Sequence, residues 1–439
     1  MSMINGFNAA DAERLSETER RLIERRERLL GPAYRLFYER PLHTVRGEGV
    51  WLYDAQGRRY LDAYNNVASI GHCHPRVVKA IAAQAALLNT HTRYLQEGIL
   101  DYAEQLLATF PAGLEQVMFT CTGSEANDLA LRIARHYTGG TGVIITRFAY
   151  HGVTGDISSL SPSLGTGIQL PAHARSVRAP DVYRCGPQAG KLFAEDVRAA
   201  IADLRAHGIK PAALLIDGIF ASDGIFAEPA GCIADAVASA QAEGLLYIAD
   251  EVQCGFARSG SHMWGFQRHG VQPDLVSLGK PMGNGQPIAG VVARPEVLEP
   301  FGRSLRYFNT FGGNPVSCAA GQAVLDVIRD EGLQQRSAQI GSYLLAGIRQ
   351  LAQRHVLIGD VRGVGMFIGV ELVSDRALKT PAAEQAKRVV NGMRERGVLI
   401  SAAGPLENIL KIRPLLTFEQ VHADLLITAL DEALQAQVR

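Results

Sequence analysis

The chain has 439 residues, 47% hydrophobic and 20% charged, with 44 basic and 44 acidic side chains and a formal net charge of +0. That length divides into two or three domains, and the charge balance gives no electrostatic reason to bind nucleic acid or an anionic membrane. Six scattered cysteines without a CxxC or Cys/His cluster read as reduced thiols of a cytoplasmic protein with no metal, and no apolar run is long enough to span a bilayer.

Residues 9–30 predict an amphipathic helix, with Leu15, Leu22, Ile23, Leu29 and Leu30 recurring on one side and Gly31-Pro32 as its stop. Within it, residues 11–28 mix six acids with six arginines, which suits a salt-bridged surface helix and not a signal or transit peptide. Residues 50–61 predict a hairpin turning at 54–57, and 77–88 a helix. His72 and His74 share a Gly/Pro loop with no further ligand nearby, so a metal is not expected there. From residue 117 short apolar runs (117–120, 143–146, 214–217, 245–249, 275–278, 288–292) alternate with helical stretches. Repeated βα units of this kind imply an α/β fold whose central sheet is mostly parallel, with helices on both faces. Residues 155–190, rich in Gly, Pro and Ser, predict a long connection. After residue 315 the pattern changes to a long helical stretch (316–352), short strands (361–372), a helix (382–396) and a last strand (398–400). The expected organisation is an N-terminal segment (1–70) joining a small α+β domain (321–439), with a large domain (71–320) between them.

Two of the apolar runs carry the chemistry. The run at 245–249 ends in Asp250-Glu251, and that at 275–278 ends in Gly279-Lys280. Such runs suit buried parallel strands, although periodicity alone does not separate them from buried helix. In open parallel sheets ligands sit beyond the carboxyl ends of the strands, so one acid and one lysine reach the same rim. Pyridoxal phosphate needs that pair: a lysine for the aldehyde carbon and an acid for the ring nitrogen, which keeps the ring able to accept electrons. Gly123 and Ser124 open a helix directly after a strand, where free amides and the helix dipole favour a phosphate, although a plain Ser cap has the same appearance. Tyr150 could stack on a flat cofactor, Val252 could press on its other face, and Gln253 could reach a ring oxygen.

Together these residues resemble the class III pyridoxal-phosphate aminotransferases of fold type I, from about residue 35 to residue 420. The resemblance rests on Gly71-His72-Cys73-His74-Pro75, Gly123-Ser124-Glu125-Ala126-Asn127, Tyr150-His151-Gly152, Asp250-Glu251-Val252-Gln253, Lys280 in its Gly-rich turn, and Asn309-Thr310-Phe311-Gly312-Gly313-Asn314-Pro315. It implies that Gly123 and Ser124 hold the cofactor phosphate and that Tyr150 stacks on the ring. Asp250 then pairs with the ring nitrogen, Gln253 reaches the ring oxygen, and Lys280 is the Schiff-base lysine. Thr310 would bind the phosphate of a neighbouring subunit's cofactor, which implies a homodimer with shared sites, or a tetramer built on it.

Within that family the chain is most similar to the ethanolamine-phosphate phospho-lyases. Asn65-Asn66-Val67-Ala68 stands where many aminotransferases carry a Ser-Gly pair, and 89–95, 279–285, 401–405 and 409–414 share the likeness. Two departures from the aminotransferase pattern matter. Aligning Pro414-Leu415-Leu416 with the family's Pro-Pro-Leu puts Lys411 at the carboxylate-binding arginine, and a two-residue shift would restore Arg413 to that role. Asp217-Gly218 replaces the usual Glu-Pro. The resemblance therefore implies a lyase that expels phosphate from O-phosphoethanolamine, with Asn66, Arg93, Lys411 and Arg413 as candidate substrate groups. The alternative is an ω-aminotransferase using the same cofactor residues.

Overall fold

The computed structural model describes residues 5–437. The outermost residues of the two terminal segments, 1–4 and 438–439, lie outside them.

In chain order the strands are β1 (Thr44–Glu48), β2 (Trp51–Asp54), β3 (Arg59–Asp62), β4 (Gln116–Thr120), β5 (Gly142–Thr146), β6 (Ala174–Val177), β7 (Pro211–Ile216), β8 (Leu246–Asp250), β9 (Leu275–Leu278), β10 (Ala289–Ala293), β11 (Ile358–Val364), β12 (Phe367–Asp375), β13 (Thr380–Pro381), β14 (Val398–Leu399), β15 (Ser401–Ala403) and β16 (Ile409–Ile412). The central sheet has the order β4-β10-β9-β8-β7-β5-β6. Pairings among β6, β5, β7, β8 and β9 are all parallel, and β10 runs antiparallel to both of its neighbours. The sheet is thus mostly parallel with one reversed strand, which an apolar run read in isolation cannot reveal.

Both faces of this sheet are covered, and its inner strands β5, β7, β8, β9 and β10 are buried along their whole length. Along β5, β7 and β8 the side chains alternate between two cores. Val143, Ile145, Leu215, Leu246 and Ile248 pack with Leu129 and Ile133 of the helix Gly123–Thr138. Ile144, Leu214, Ile216, Tyr247 and Ala249 pack into the larger core on the other face. Asp250 follows Leu246 and Ile248 by steps of two, so it emerges on the face of that helix.

The predicted hairpin is the antiparallel β2–β3 pair, and β14 adds to β3 in parallel, which ties residues 59–62 to the C-terminal region. A further sheet, β11-β12-β16-β15, includes β16, which holds Lys411 and leads directly into Arg413.

Three expectations change. The connection 155–190 contains β6, which forms the parallel edge of the central sheet. The stretch 316–352 is two helices, Pro315–Asp330 and Leu333–Arg354, broken where Gly332 takes a left-handed φ of 60°. The N-terminal helix starts only at Glu17, because Ser16 and Glu19 form a capping box, and the residues before it make a 3-10 turn. Its apolar side is not packed: Leu22, Leu29 and Leu30 are exposed.

Candidate active site

The carboxyl ends of β8 and β9 deliver Asp250 and Lys280 to a cavity of about 330 Å³. Gly123, Ser124, Tyr150, Val252 and Gln253 line the same cavity. Lys280 is pushed below the usual lysine range by burial, with Asp250 opposing that shift and Arg413 adding to it. Its Nζ lies 5.7 Å from the Tyr150 ring centroid.

Asp250 is held on all sides. Oδ2 accepts from Asn127 Nδ2 at 2.9 Å and is 2.6 Å from His151 Nδ1, while Oδ1 accepts from the Val252 amide at 3.1 Å. Asn127 Nδ2 also donates to the His151 carbonyl, so helix, turn and strand close on one carboxylate. Asp223, a buried acid that no local pattern singles out, accepts from Thr146 Oγ1 at 2.6 Å and from the Phe148 amide, and so anchors the turn that carries Tyr150. Burial pushes its pKa up to about 6.

The helix start at Gly123 has the amides a phosphate needs. Glu125 accepts the amides of Cys121 and Thr122, and Thr122 Oγ1 accepts that of Glu125. The Gly123 and Ser124 amides have no protein acceptor among the described residues, as expected of a first helical turn. Gly123 is required here by space: a Cβ on it would stand 2.7 Å from a Val252 methyl.

Beyond Lys280 a second cavity of about 440 Å³ opens, lined by Arg35, Tyr64, Asn66, Lys280 and Arg413 among others. Lys280 and Val67 belong to both cavities. Arg413 is buried, its Nη1 donates to Gln253 Oε1 at 2.9 Å, and its Nε has no partner among the described residues. Asn66 donates to the Gln253 carbonyl at 3.0 Å, and its Oδ1 has no partner among the described residues.

Strand alternation puts Lys411 and Arg413 on one face of β16 and its continuation, but only Arg413 lines a cavity. Lys411 Nζ donates to the Ala221 carbonyl at 2.8 Å, and burial holds it well below the usual lysine range. Asp217 accepts the amides of Ile219 and Ala221, so acid and lysine fasten the same turn from two sides. Arg93 and Thr310 are exposed and line neither cavity; Arg93 stacks over Phe308 with its guanidinium carbon 3.8 Å from the ring centroid. Arg35, Tyr64 and Asp223 carried no assigned role in the sequence, because no local pattern distinguishes them, and His151 entered only as the middle of the Tyr150-His151-Gly152 motif, without a role of its own. Among the described residues no group of three or more His, Cys, Asp or Glu side chains could hold a metal, and no helix is long and apolar enough to cross a membrane.

The family model for class III aminotransferases matches residues 37–434. The chain belongs to the class III aminotransferase family. Its cofactor is therefore pyridoxal phosphate. The residues fit that group: spare amides at a helix start, a glycine under Val252, a pinned carboxylate and a buried lysine converge on one cavity. A Drosophila melanogaster protein named alanine–glyoxylate aminotransferase 2-like is 42% identical over 98% of this chain and 90% of its own length. A Caenorhabditis elegans protein named ethanolamine-phosphate phospho-lyase homolog 1 is 37% identical over 97% of this chain and 96% of its own. The structure of an Arthrobacter phospholyase in complex with phosphoethanolamine superposes with a TM-score of 0.92 at 46% identity, covering 94% of this chain and 99% of that one. This chain is thus an enzyme of that family that acts on a small molecule.

Proposed function

We propose that this enzyme is a phospho-lyase that eliminates phosphate from O-phosphoethanolamine or a related phosphoamine, giving acetaldehyde, ammonia and inorganic phosphate. The observation that carries the proposal is that Arg35 and Arg413 line the same cavity as Lys280. A phosphomonoester near neutral pH approaches two negative charges on three acceptor oxygens, and two guanidinium groups match it in charge and in shape. The likeness to the Arthrobacter phospholyase supports this reading.

Pyridoxal phosphate, when bound, supplies the sink for the electron pair left when a C–H bond beside nitrogen breaks. In the proposed mechanism Lys280 would hold the cofactor aldehyde between turnovers. Once the substrate amine frees it, Lys280 Nζ takes the proton from the carbon beside nitrogen; burial favours its neutral amine form. Asp250, fixed by Asn127 and His151, would pair with the ring nitrogen. Gly123 and Ser124 would hold the cofactor phosphate, Tyr150 and Val252 would flank the ring, and Gln253 would reach its oxygen, since all five line one cavity. Arg413, Arg35 and Asn66 orient the substrate phosphate one carbon–carbon bond further out, while Lys411 supports the wall behind them.

A second reading has its own observation. Arg413, and not Lys411, reaches the cavity, and one planar guanidinium also suits a carboxylate, as amino transfer to a keto acid would need. A phosphate-release assay without keto acid, across phosphoethanolamine, phosphohydroxylysine and plain amino donors, separates the two. Phosphate and aldehyde released in equal amounts support the lyase; strictly keto-acid-dependent transfer without phosphate release defeats it.

The same proposal includes a homodimer with shared sites. Tyr94, Leu95, Phe308 and Phe311 are exposed beside Arg93 and Thr310, an apolar patch suited to a second copy that would bring Thr310 to the partner's cofactor phosphate. All six cysteines are free thiols, in keeping with the cytoplasm.

A further inference from the structure

Tyr64 follows β3, and its amide donates to Asp62 Oδ1 at 3.1 Å. Its ring meets Phe37 edge-on, with centroids 5.2 Å apart, and the Arg413 guanidinium carbon lies 4.5 Å from its centroid. The charged and titratable groups around it are Asp62, Tyr38, Tyr150, Lys280, Arg35 and Arg413. A guanidinium offers only donors. Arg413 shares a side-chain hydrogen bond with Tyr64, so the phenolic oxygen accepts and keeps its own proton to donate, and Tyr64 lines the cavity together with Lys280 and Arg413.

The proposed elimination has a need that neither arginine meets. When the C–O bond of a phosphomonoester dianion breaks, the departing group is a phosphate trianion, a very strong base. Guanidinium groups neutralise charge but do not give up a proton. A phenol is a stronger acid than the hydrogen phosphate dianion, so proton transfer from phenol to that oxygen is downhill.

We infer that Tyr64 is the general acid for the leaving phosphate, an inference that rests on the phospho-lyase reading. Lys280 Nζ takes the proton from the carbon beside nitrogen, and a carbon–carbon double bond forms. The C–O bond breaks with its electron pair going to the bridging oxygen, and the Tyr64 O–H proton goes to that same oxygen. Phosphate leaves as the hydrogen phosphate dianion. The phenolate beside Arg413 regains a proton from water, and Lys280 returns one to water, so the cycle balances.

The test is Tyr64→Phe in the cofactor-loaded enzyme, followed as a pH profile. A phosphomonoester loses its second proton at about pH 6; below that it already carries the proton its leaving group needs. The variant should keep near-wild-type phosphate release at about pH 5 and fall roughly tenfold per pH unit above pH 6, reaching about a hundredfold loss at pH 8. In D₂O at about pH 8, where the variant's release is lowest, deuterium should still enter the carbon beside nitrogen, seen by NMR, because the Lys280 step is intact. Placing 3-fluorotyrosine at position 64, which keeps the fold and the hydroxyl, should retain release there. An equal loss at both pH values, deuterium uptake falling in step with phosphate release, or a fluorotyrosine enzyme as slow as the phenylalanine variant would overturn the role of Tyr64. A wild-type enzyme that releases no phosphate from any phosphoamine would overturn the lyase reading, and this inference with it.

Discussion

His151 Nδ1 stands 2.6 Å from Asp250 Oδ2, with both side chains buried. Asn127 shares that oxygen, so the carboxylate has one orientation, aimed across the cavity that Lys280 lines.

Substituting His151 by Ala should loosen Asp250 without removing it. A hydrogen bond to a charged group is worth about 1.5–3 kcal/mol, so kcat/KM should fall roughly ten- to a hundredfold. The variant should also lose cofactor faster on dialysis, followed by absorbance, while its melting temperature changes little. Unchanged cofactor retention would count against this role.

Gly123→Ala places a Cβ 2.7 Å from a Val252 methyl. Overpacking of this kind costs about 1–3 kcal/mol, here expressed as weaker cofactor binding. Val252→Ala in the same chain should recover most of the loss, and a double-mutant cycle read by cofactor titration measures the coupling. Strict additivity would show that the two residues do not meet.

The two basic residues of the β16 region should separate by phenotype. Arg413→Lys removes planar recognition from the cavity and should raise KM for the phosphoamine by roughly tenfold or more. Lys411→Met leaves the buried Ala221 carbonyl without its donor and should lower the melting temperature while moving KM little. The reverse pattern would exchange their roles.

Glu251 accepts the amides of Gly265 and Phe266 and the thiol of Cys254, and burial raises its pKa to about 7 from an ordinary 4.5. The folded chain therefore holds this proton more tightly than the unfolded chain does. The resulting stability is full below pH 4.5 and is lost as pH rises towards 7, a change on the order of 3 kcal/mol. Glu251→Gln removes the titration, although it weakens the contact with the amides. Its melting temperature should decline less than that of the wild type between pH 5 and pH 8, by calorimetry. Equal slopes would refute the assignment.

Local order along the chain determined the strands at 117–120, 143–146, 214–217 and 275–278 and the residues that follow them. A buried strand must be apolar, and a residue just past its end must face the rim, so Asp250 and Lys280 were legible without coordinates. The helix start at Gly123 and Ser124 was legible for a similar reason, since its geometry is set within a few residues. Tertiary structure alone decided the reversed direction of β10, the edge strand β6 hidden in a polar connection, and the break at Gly332. It also decided which cation lines the cavity. Lys411 and Arg413 share a face, and only the carbonyl of Ala221, brought from a distant turn, draws one of them away. Arg35 and Tyr64 enter the cavity from an irregular segment and a strand end, where no periodicity marks a side chain as inward, so their role depends on contacts between residues far apart in the chain.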